Sequence, residues 1–281
     1  MGRRLGTKRL AKVYQEAGKQ GLALSVPYDD DDAWGEVRPS FVAGMDRNKR
    51  LVALGQMHGF GFEDMTDIPV DGQTTAIWLR ENENSAAIAL VANDADFTDG
   101  AASLTPGNAD NDKVGFMTAN KPFKCTTGKK WWVETAFKIA DIDDCTMFFG
   151  LIEDTYDNAV VYGEVAAGAG ADKVGFKKAT EGTGVFTTTA SLNATEKTGT
   201  GLTVTANNDV VNLGIYWDGA GTIRFYGAFA ATGTEVGAMP LLATSVVQPD
   251  QSMALLLEQK HATAAADDAL VINYVRGMWE I

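Results

Sequence analysis

Glycoside hydrolysis needs two carboxylates flanking the scissile bond. On a β-strand that means acids two or four residues apart on one face. Glu134 has Ala136 and Lys138 as its same-face neighbours, so it stands alone. Glu153 and Asp154 are adjacent and point to opposite faces. Glu81 and Glu83 have the right spacing, but Asn82 and Asn84 signal a turn there. For nucleophilic catalysis there are 2 histidines, His58 and His261, and no Ser/His or Cys/His pair stands out. His58 reads as a loop residue. The expectation is that the chain has no catalytic residue and is not an enzyme.

Metal and ligand chemistry come next. With 2 histidines and 2 cysteines the chain is poorly supplied for zinc. Asp94, Asp96 and Asp99, closed by Gly100, bring hard oxygen donors to a turn, as a calcium loop does. The third acid falls one place late and no Glu closes the loop, so Asp94–Gly100 is read as a connection between strands. Asp29–Asp32 beside Trp34, and Asp141, Asp143 and Asp144, are read as solvated turns. Calcium is the one cofactor with any candidate ligands, and none is expected. A sugar-binding face exposes aromatics over a polar shelf. Trp132, on the opposite face from Trp131, and Tyr226 beside Arg224 are the candidates for glycan contact. Each is more often a packed residue, because a buried aromatic dominates core energetics.

A fourth chemistry is plain charge. Arg3, Arg4, Lys8, Arg9, Lys12 and Lys19 face the single acid Glu16 within residues 1–20, a local charge of +5. That leaves -18 for the remainder of a chain whose formal net charge is -13. An acidic body argues against nonspecific nucleic-acid binding. Leu10, Val13, Tyr14 and Ala17 follow helical spacing before Gly18. The segment is either a short helix that needs a surface to lie on or a disordered basic tail. Arg47, Lys49 and Arg50 form a second small basic patch. No apolar run is long enough for a transmembrane helix, and the basic start is not followed by the apolar stretch of a signal peptide.

The elements that must position these residues are strands. Within Lys129–Leu151, the residues Trp131, Val133, Phe137 and Ile139 alternate with Glu134 and Lys138, the pattern of a half-buried strand. Further strands are expected at Thr75–Arg80, Ala86–Ala92, Lys113–Thr118, Thr146–Glu153, Ala159–Gly163, Lys173–Lys178, Gly184–Ala190, Leu202–Ala206, Val210–Trp217, Thr222–Ala228, Ser252–Lys260 and Leu270–Trp279. Turn signals such as Asp99-Gly100 and Asp218-Gly219 separate them. Many strands with no helix between them mean an all-β sandwich. Residues 1–60 read as an extended basic N-terminal arm and residues 61–281 as the sandwich. Trp131, Val133, Phe137, Leu213, Ile215 and Phe225 should lie in its core. A core of this size needs no disulfide, and Cys125 and Cys145 read as free buried thiols rather than a pair.

Several pieces resemble one fold family. They are Lys130–Ile139, Phe148–Ile152, Asp172–Phe176, the strand–turn–strand Asn212–Tyr226 and the closing Leu270–Arg276. Together they are similar to the concanavalin A-like, laminin G-like jelly roll, an antiparallel two-sheet sandwich. Their Val-Gly-Phe and Ile-Asn-Tyr-Val-Arg strands resemble virion structural proteins of tailed bacteriophages. The resemblance implies a capsid decoration (cement) protein that binds the major capsid protein; a homotrimer is the expected oligomer because a decoration sits on local symmetry axes and closed rings leave no unpaired surface. Arg3, Arg4, Lys8, Arg9, Lys12 and Tyr14 would then anchor it. The protein would be made in the host cytoplasm and reside on the virion surface, with no nucleic-acid or membrane partner. A carbohydrate-binding or fibre-like receptor-binding virion protein is the alternative, and a glycosidase on the same fold the third reading.

Overall fold

The computed structural model describes residues 57–61, 78–82, 86–91, 94–97, 101–107, 112–153, 172–179, 182–192, 195–234, 236–237, 239–261 and 269–280. Among the described residues every regular element is a strand. In chain order they are β1 (Met57–Gly61), β2 (Trp78–Asn82), β3 (Ala87–Val91), β4 (Ala101–Thr105), β5 (Lys113–Thr118), β6 (Trp131–Ile139), β7 (Cys145–Ile152) and β8 (Lys173–Lys178). There follow β9 (Val185–Leu192), β10 (Thr195–Thr203), β11 (Val210–Trp217), β12 (Ile223–Ala230), β13 (Leu241–Ser245), β14 (Ala254–His261) and β15 (Leu270–Glu280).

The strands make two antiparallel sheets packed face to face. The first has 8 strands in the order β13-β12-β11-β6-β15-β4-β3, with β1 added against β15. The second has 7, in the order β10-β9-β8-β7-β14-β5-β2. Neighbours in space come from distant parts of the chain, the mark of a jelly roll rather than a meander. Between the sheets, Trp131, Val133, Phe137, Leu213, Ile215 and Phe225 meet Phe149, Leu151, Phe176, Leu255 and Leu257 in one continuous core. Each large apolar side chain buried there contributes about 1.5–3 kcal/mol.

Local chemistry explains the less regular points. A bulge in β15 between Ile272 and Tyr274 lies opposite β6, and the Thr135 hydroxyl donates to the Tyr274 carbonyl at 2.9 Å. The side chain thereby serves a carbonyl at the point where the ladder is disturbed. The β11–β12 hairpin turns at Asp218, whose Oδ1 accepts from the Ala220 and Thr222 N–H groups. Gly219 there has φ of 73°, a left-handed conformation that suits glycine.

The outer faces differ from the sequence expectation. β6 was expected to be half buried, yet all 9 of its residues are buried, including Trp132, Glu134 and Lys138 on the outer face. β7 is buried throughout as well, and its outer-face Phe148 and Ile152 form a second apolar cluster with Met117, Ala254 and Leu256. Alternation decides which side chains enter the space between the sheets. It does not decide whether the other face meets water.

Further differences are local. Sheet pairing begins at Met57, so the last residues assigned to the arm, with His58 among them, lie in a strand instead of a loop. β2 extends to Asn82, so Glu81 is in a strand paired to Gly115 and not in a turn. β4, β13 and most of β10 had no clear pattern, because Ala101–Thr105, Leu241–Ser245 and Thr195–Thr203 are short or rich in small and polar residues. The expected strand Ala159–Gly163 lies outside the described residues.

Candidate functional site

Strand register brings the three glycan-contact candidates onto one face of one sheet. Trp132 on β6 lies opposite Tyr216 on β11, and Tyr216 opposite Arg224 on β12. In the adjoining row Glu134, Gly214 and Tyr226 stand side by side. The Arg224 guanidinium sits 5.9 Å from the centre of the Tyr216 ring, a cation–π distance. Its Nη2 is 3.7 Å from Asp218 Oδ2. Sequence reading missed Tyr216, although its parity, opposite to that of Ile215, placed it on this outer face.

The row is closed rather than open. Trp132 is 3% exposed and Tyr226 5%, while the Arg224 side chain is 32% exposed. Trp132 and Tyr226 are thus packed residues rather than an aromatic shelf, and only Arg224 of the three reaches solvent. The physical reason is area: an aromatic ring on a sheet surface is worth far more buried than wet. Burial is not free, for the Trp132 indole Nε1 has no hydrogen-bond partner, which costs about 1–3 kcal/mol.

The loop with calcium-like spacing is occupied by a lysine. Lys138 Nζ lies 2.8 Å from Asp94 Oδ2 and 2.9 Å from Asp96 Oδ2. The Gly233 N–H donates to Asp96 Oδ1 at 2.6 Å, and the Lys138 ammonium stands 5.7 Å from the Phe97 ring centre. Burial would raise the Asp96 carboxyl, but the Gly233 hydrogen bond and the Lys138 contact outweigh it and hold the carboxyl below its ordinary value. Burial would likewise lower the Lys138 amine, and the two aspartates more than reverse it. The acids that resembled a metal loop thus clamp a β3–β4 connection and the β12–β13 turn onto β6. Among the described residues no group of three or more His, Cys, Asp or Glu is placed to hold a metal ion.

A second charged cluster lies on the outer face of the other sheet. Lys177 Nζ is 2.7 Å from Glu196 Oε1, which also accepts from the Thr189 hydroxyl. Burial would raise the Glu196 carboxyl, but the Lys177 and Thr189 hydrogen bonds outweigh it and hold it low. Nearby Lys173 has its amine pushed down to about 8 by burial, with Lys177 adding to the effect and Glu196 and Glu258 opposing it. An amine neutral near pH 8 could act as a base, but Lys173 is 2% exposed and out of a substrate's reach. The buried glutamates Glu134 and Glu258 lie on the outer faces of different sheets. Packed sheets are about 10 Å apart, so these two cannot flank one glycosidic bond.

Cys125 and Cys145 are both free thiols, Cys145 buried and Cys125 half-buried. Burial pushes the Cys125 thiol up to about 12, so it is not a nucleophile at neutral pH. The anchoring candidates Arg3, Arg4, Lys8, Arg9, Lys12 and Tyr14 lie outside the described residues.

No family model matches the chain, and no curated protein sequence does. Solved structures do. A protein of unknown function from Shewanella oneidensis MR-1 superposes with a TM-score of 0.57 at 12% identity, over 85% of this chain and 96% of that one. The acidic lectin of winged bean, complexed with methyl-α-D-galactose, gives 0.51 at 13% identity, over 80% and 98%. An endo-1,3-β-glucanase from Streptomyces sioyaensis gives 0.50 at 11% identity, over 78% and 95%. At such identities the likeness concerns fold: the chain is a concanavalin A-like jelly-roll sandwich. That fold carries a lectin and a glucanase among these neighbours, so function must be argued from this chain's own surface.

Proposed function

We propose that this chain is a non-enzymatic structural protein of a tailed-phage particle, a decoration protein that binds the assembled shell and stabilises it. The observation that carries the reading is the burial of the central strands' outer-face side chains on both sheets. Trp132, Tyr216 and Tyr226 are packed shut on one, and Phe148, Ile152 and Leu256 on the other. A sugar site or a hydrolytic cleft needs an open concave surface with convergent polar groups. What this sandwich offers is an acidic body, joined to a basic segment that could reach another surface.

In this reading the major capsid protein is the partner, the virion surface the location, and a homotrimer the oligomer, set by local symmetry axes of the shell. Arg3, Arg4, Lys8, Arg9, Lys12 and Tyr14 supply anchoring contacts. Each is worth about 0–1 kcal/mol when exposed, so many copies and contacts act together. The convergence of Trp132, Tyr216, Tyr226 and Arg224 on one face favours a second reading, a glycan-binding virion protein.

The test is to purify particles assembled without this chain and add the full-length protein. Saturable binding with raised thermal stability of the shell is expected. Absence of binding, together with micromolar binding of a glycan that Arg224→Ala abolishes, would replace the first reading with the second.

A further inference from the structure

Charge is nearly absent from one flank of the sandwich. Residues 182–208, which carry β9 and β10, hold one acid and one base, the adjacent Glu196 and Lys197. Residues 236–249, which carry β13, hold neither. The chain as a whole is 22% charged, with a net charge of -13.

β10 and β13 are the end strands of the two sheets on this flank. Among the described residues no strand pairs with the outer side of either. A Cβ at Gly199 would lie 3.1 Å from the Ala243 Cβ, so the two edges adjoin. An end strand presents backbone donors and acceptors that can template a contact. Apolar side chains are exposed here too. Leu241, which opens β13, is 52% exposed, and Val246, just past its end, is 67% exposed. Val185 on β9 is exposed opposite Thr203. Along β10 the exposed side chains Thr195, Thr198, Thr200 and Thr203 can each donate or accept a hydrogen bond.

The charges that border the flank belong to other contacts. Glu196 is held by Lys177 and Thr189. Arg224, opposite Thr244, lies beside Asp218. Asp209 is buried and accepts from the Ala206 N–H. Asp141, Asp143 and Asp144 belong to the β6–β7 connection at one end, where the Gly182 N–H meets the Asp143 carbonyl. Two copies of an acidic body repel each other, so they meet with least repulsion where neither carries charge. A strongly charged partner finds little to pair with on the same surface.

We infer that this flank is the contact between copies of the chain, with β13 of one copy set against β10 of the next. The inference rests on the homo-oligomer proposed above and adds the surface that forms it. Both edges share one flank, so on a three-fold axis each copy meets two neighbours at once and the ring closes. Ladder irregularities between Phe225 and Tyr226 and between Gly199 and Leu202 shorten the run open to a partner strand. They keep the contact from propagating into a sheet without end.

The experiment measures the mass of the full-length chain by sedimentation equilibrium and compares it with Leu241→Glu/Val246→Glu. The control is Leu90→Glu, which alters a comparably exposed leucine, at 57%, on β3 at the opposite edge of the first sheet. The double variant should associate about a hundredfold more weakly, because each new carboxylate must be buried unpaired or hold the contact open. Its circular dichroism should be unchanged, and the control should associate as the unaltered chain does. Independently of any variant, hydroxyl-radical footprinting should find Leu241 and Val246 protected in the oligomer and Leu90 unprotected. If the unaltered chain is an oligomer but the double variant associates equally, or Leu241 and Val246 are oxidised equally in oligomer and monomer, the contact lies elsewhere while the homo-oligomer stands. If the unaltered chain stays a monomer at every concentration, both fall, and shell binding still decides the decoration reading by itself.

Discussion

Replacing Lys138 by methionine keeps most of its length and removes the charge that holds two carboxylates. The Asp94 and Asp96 side chains are 12% and 3% exposed, and that of Lys138 is 11% exposed. An exposed ion pair is worth about 0–1 kcal/mol, whereas removing one partner of a buried pair costs about 3–5 kcal/mol. This cluster sits near the buried limit but at the rim, so Lys138→Met should cost about 3 kcal/mol, or roughly 6–12 °C in Tm for a domain of this size. Adding Asp94→Asn and Asp96→Asn should recover most of the loss, because no buried carboxylate is then left unpaired.

The pH dependence is specific. Asp96 has its carboxyl lowered, so its contribution is complete above its unfolded value of 3.8 and disappears as pH falls through the lower folded value. Lys138 has its amine raised, so its contribution is complete below its unfolded value of 10.5 and disappears as pH rises through the higher folded value. The gap between the unaltered chain and Lys138→Met should therefore be widest between those limits and close on either side. Urea unfolding followed by tryptophan fluorescence at several pH values measures it. A loss under about 0.5 kcal/mol at pH 7, or a gap unchanged at pH 2.5, would refute the clamp.

Two further outcomes are expected. A Cβ at Gly175 would lie 2.6 Å from the Phe148 ring and 2.7 Å from the Phe149 carbonyl oxygen, so Gly175→Ala should destabilise by about 1–3 kcal/mol, read as a lower urea midpoint; an unchanged midpoint would mean that Phe148 has room to move. Cys125, with its thiol raised to about 12, and fully buried Cys145 should both resist iodoacetamide at pH 8 in the native protein and react rapidly in urea; mass spectrometry distinguishes this from a fast native reaction.

The sequence by itself determined the class of fold. Trp131–Ile139 and Val210–Trp217 repeat every second residue, Asp218-Gly219 turns between strands, and these signals are local, so β6 and β11 were legible to the residue and the β12 arm of the hairpin to within two. It also separated the inner side chains Val133, Phe137 and Ile215 from the outer ones. What it could not carry was whatever depends on residues far apart in the chain. Lys138 meets Asp94 across 44 positions, so a loop read as a plain connection and a lysine on an outer strand face are one ion-pair cluster. Trp132, Tyr216 and Arg224 share a row only because β11 pairs with both β6 and β12. Their burial could not be read from alternation, which reports one interface per strand and is silent about a second. Short strands without a long alternation, such as β4 and β13, exist because a neighbour offers its ladder of hydrogen bonds. Tertiary structure alone decided that, since a backbone donor on an adjacent strand leaves no trace in the side chains that pair with it.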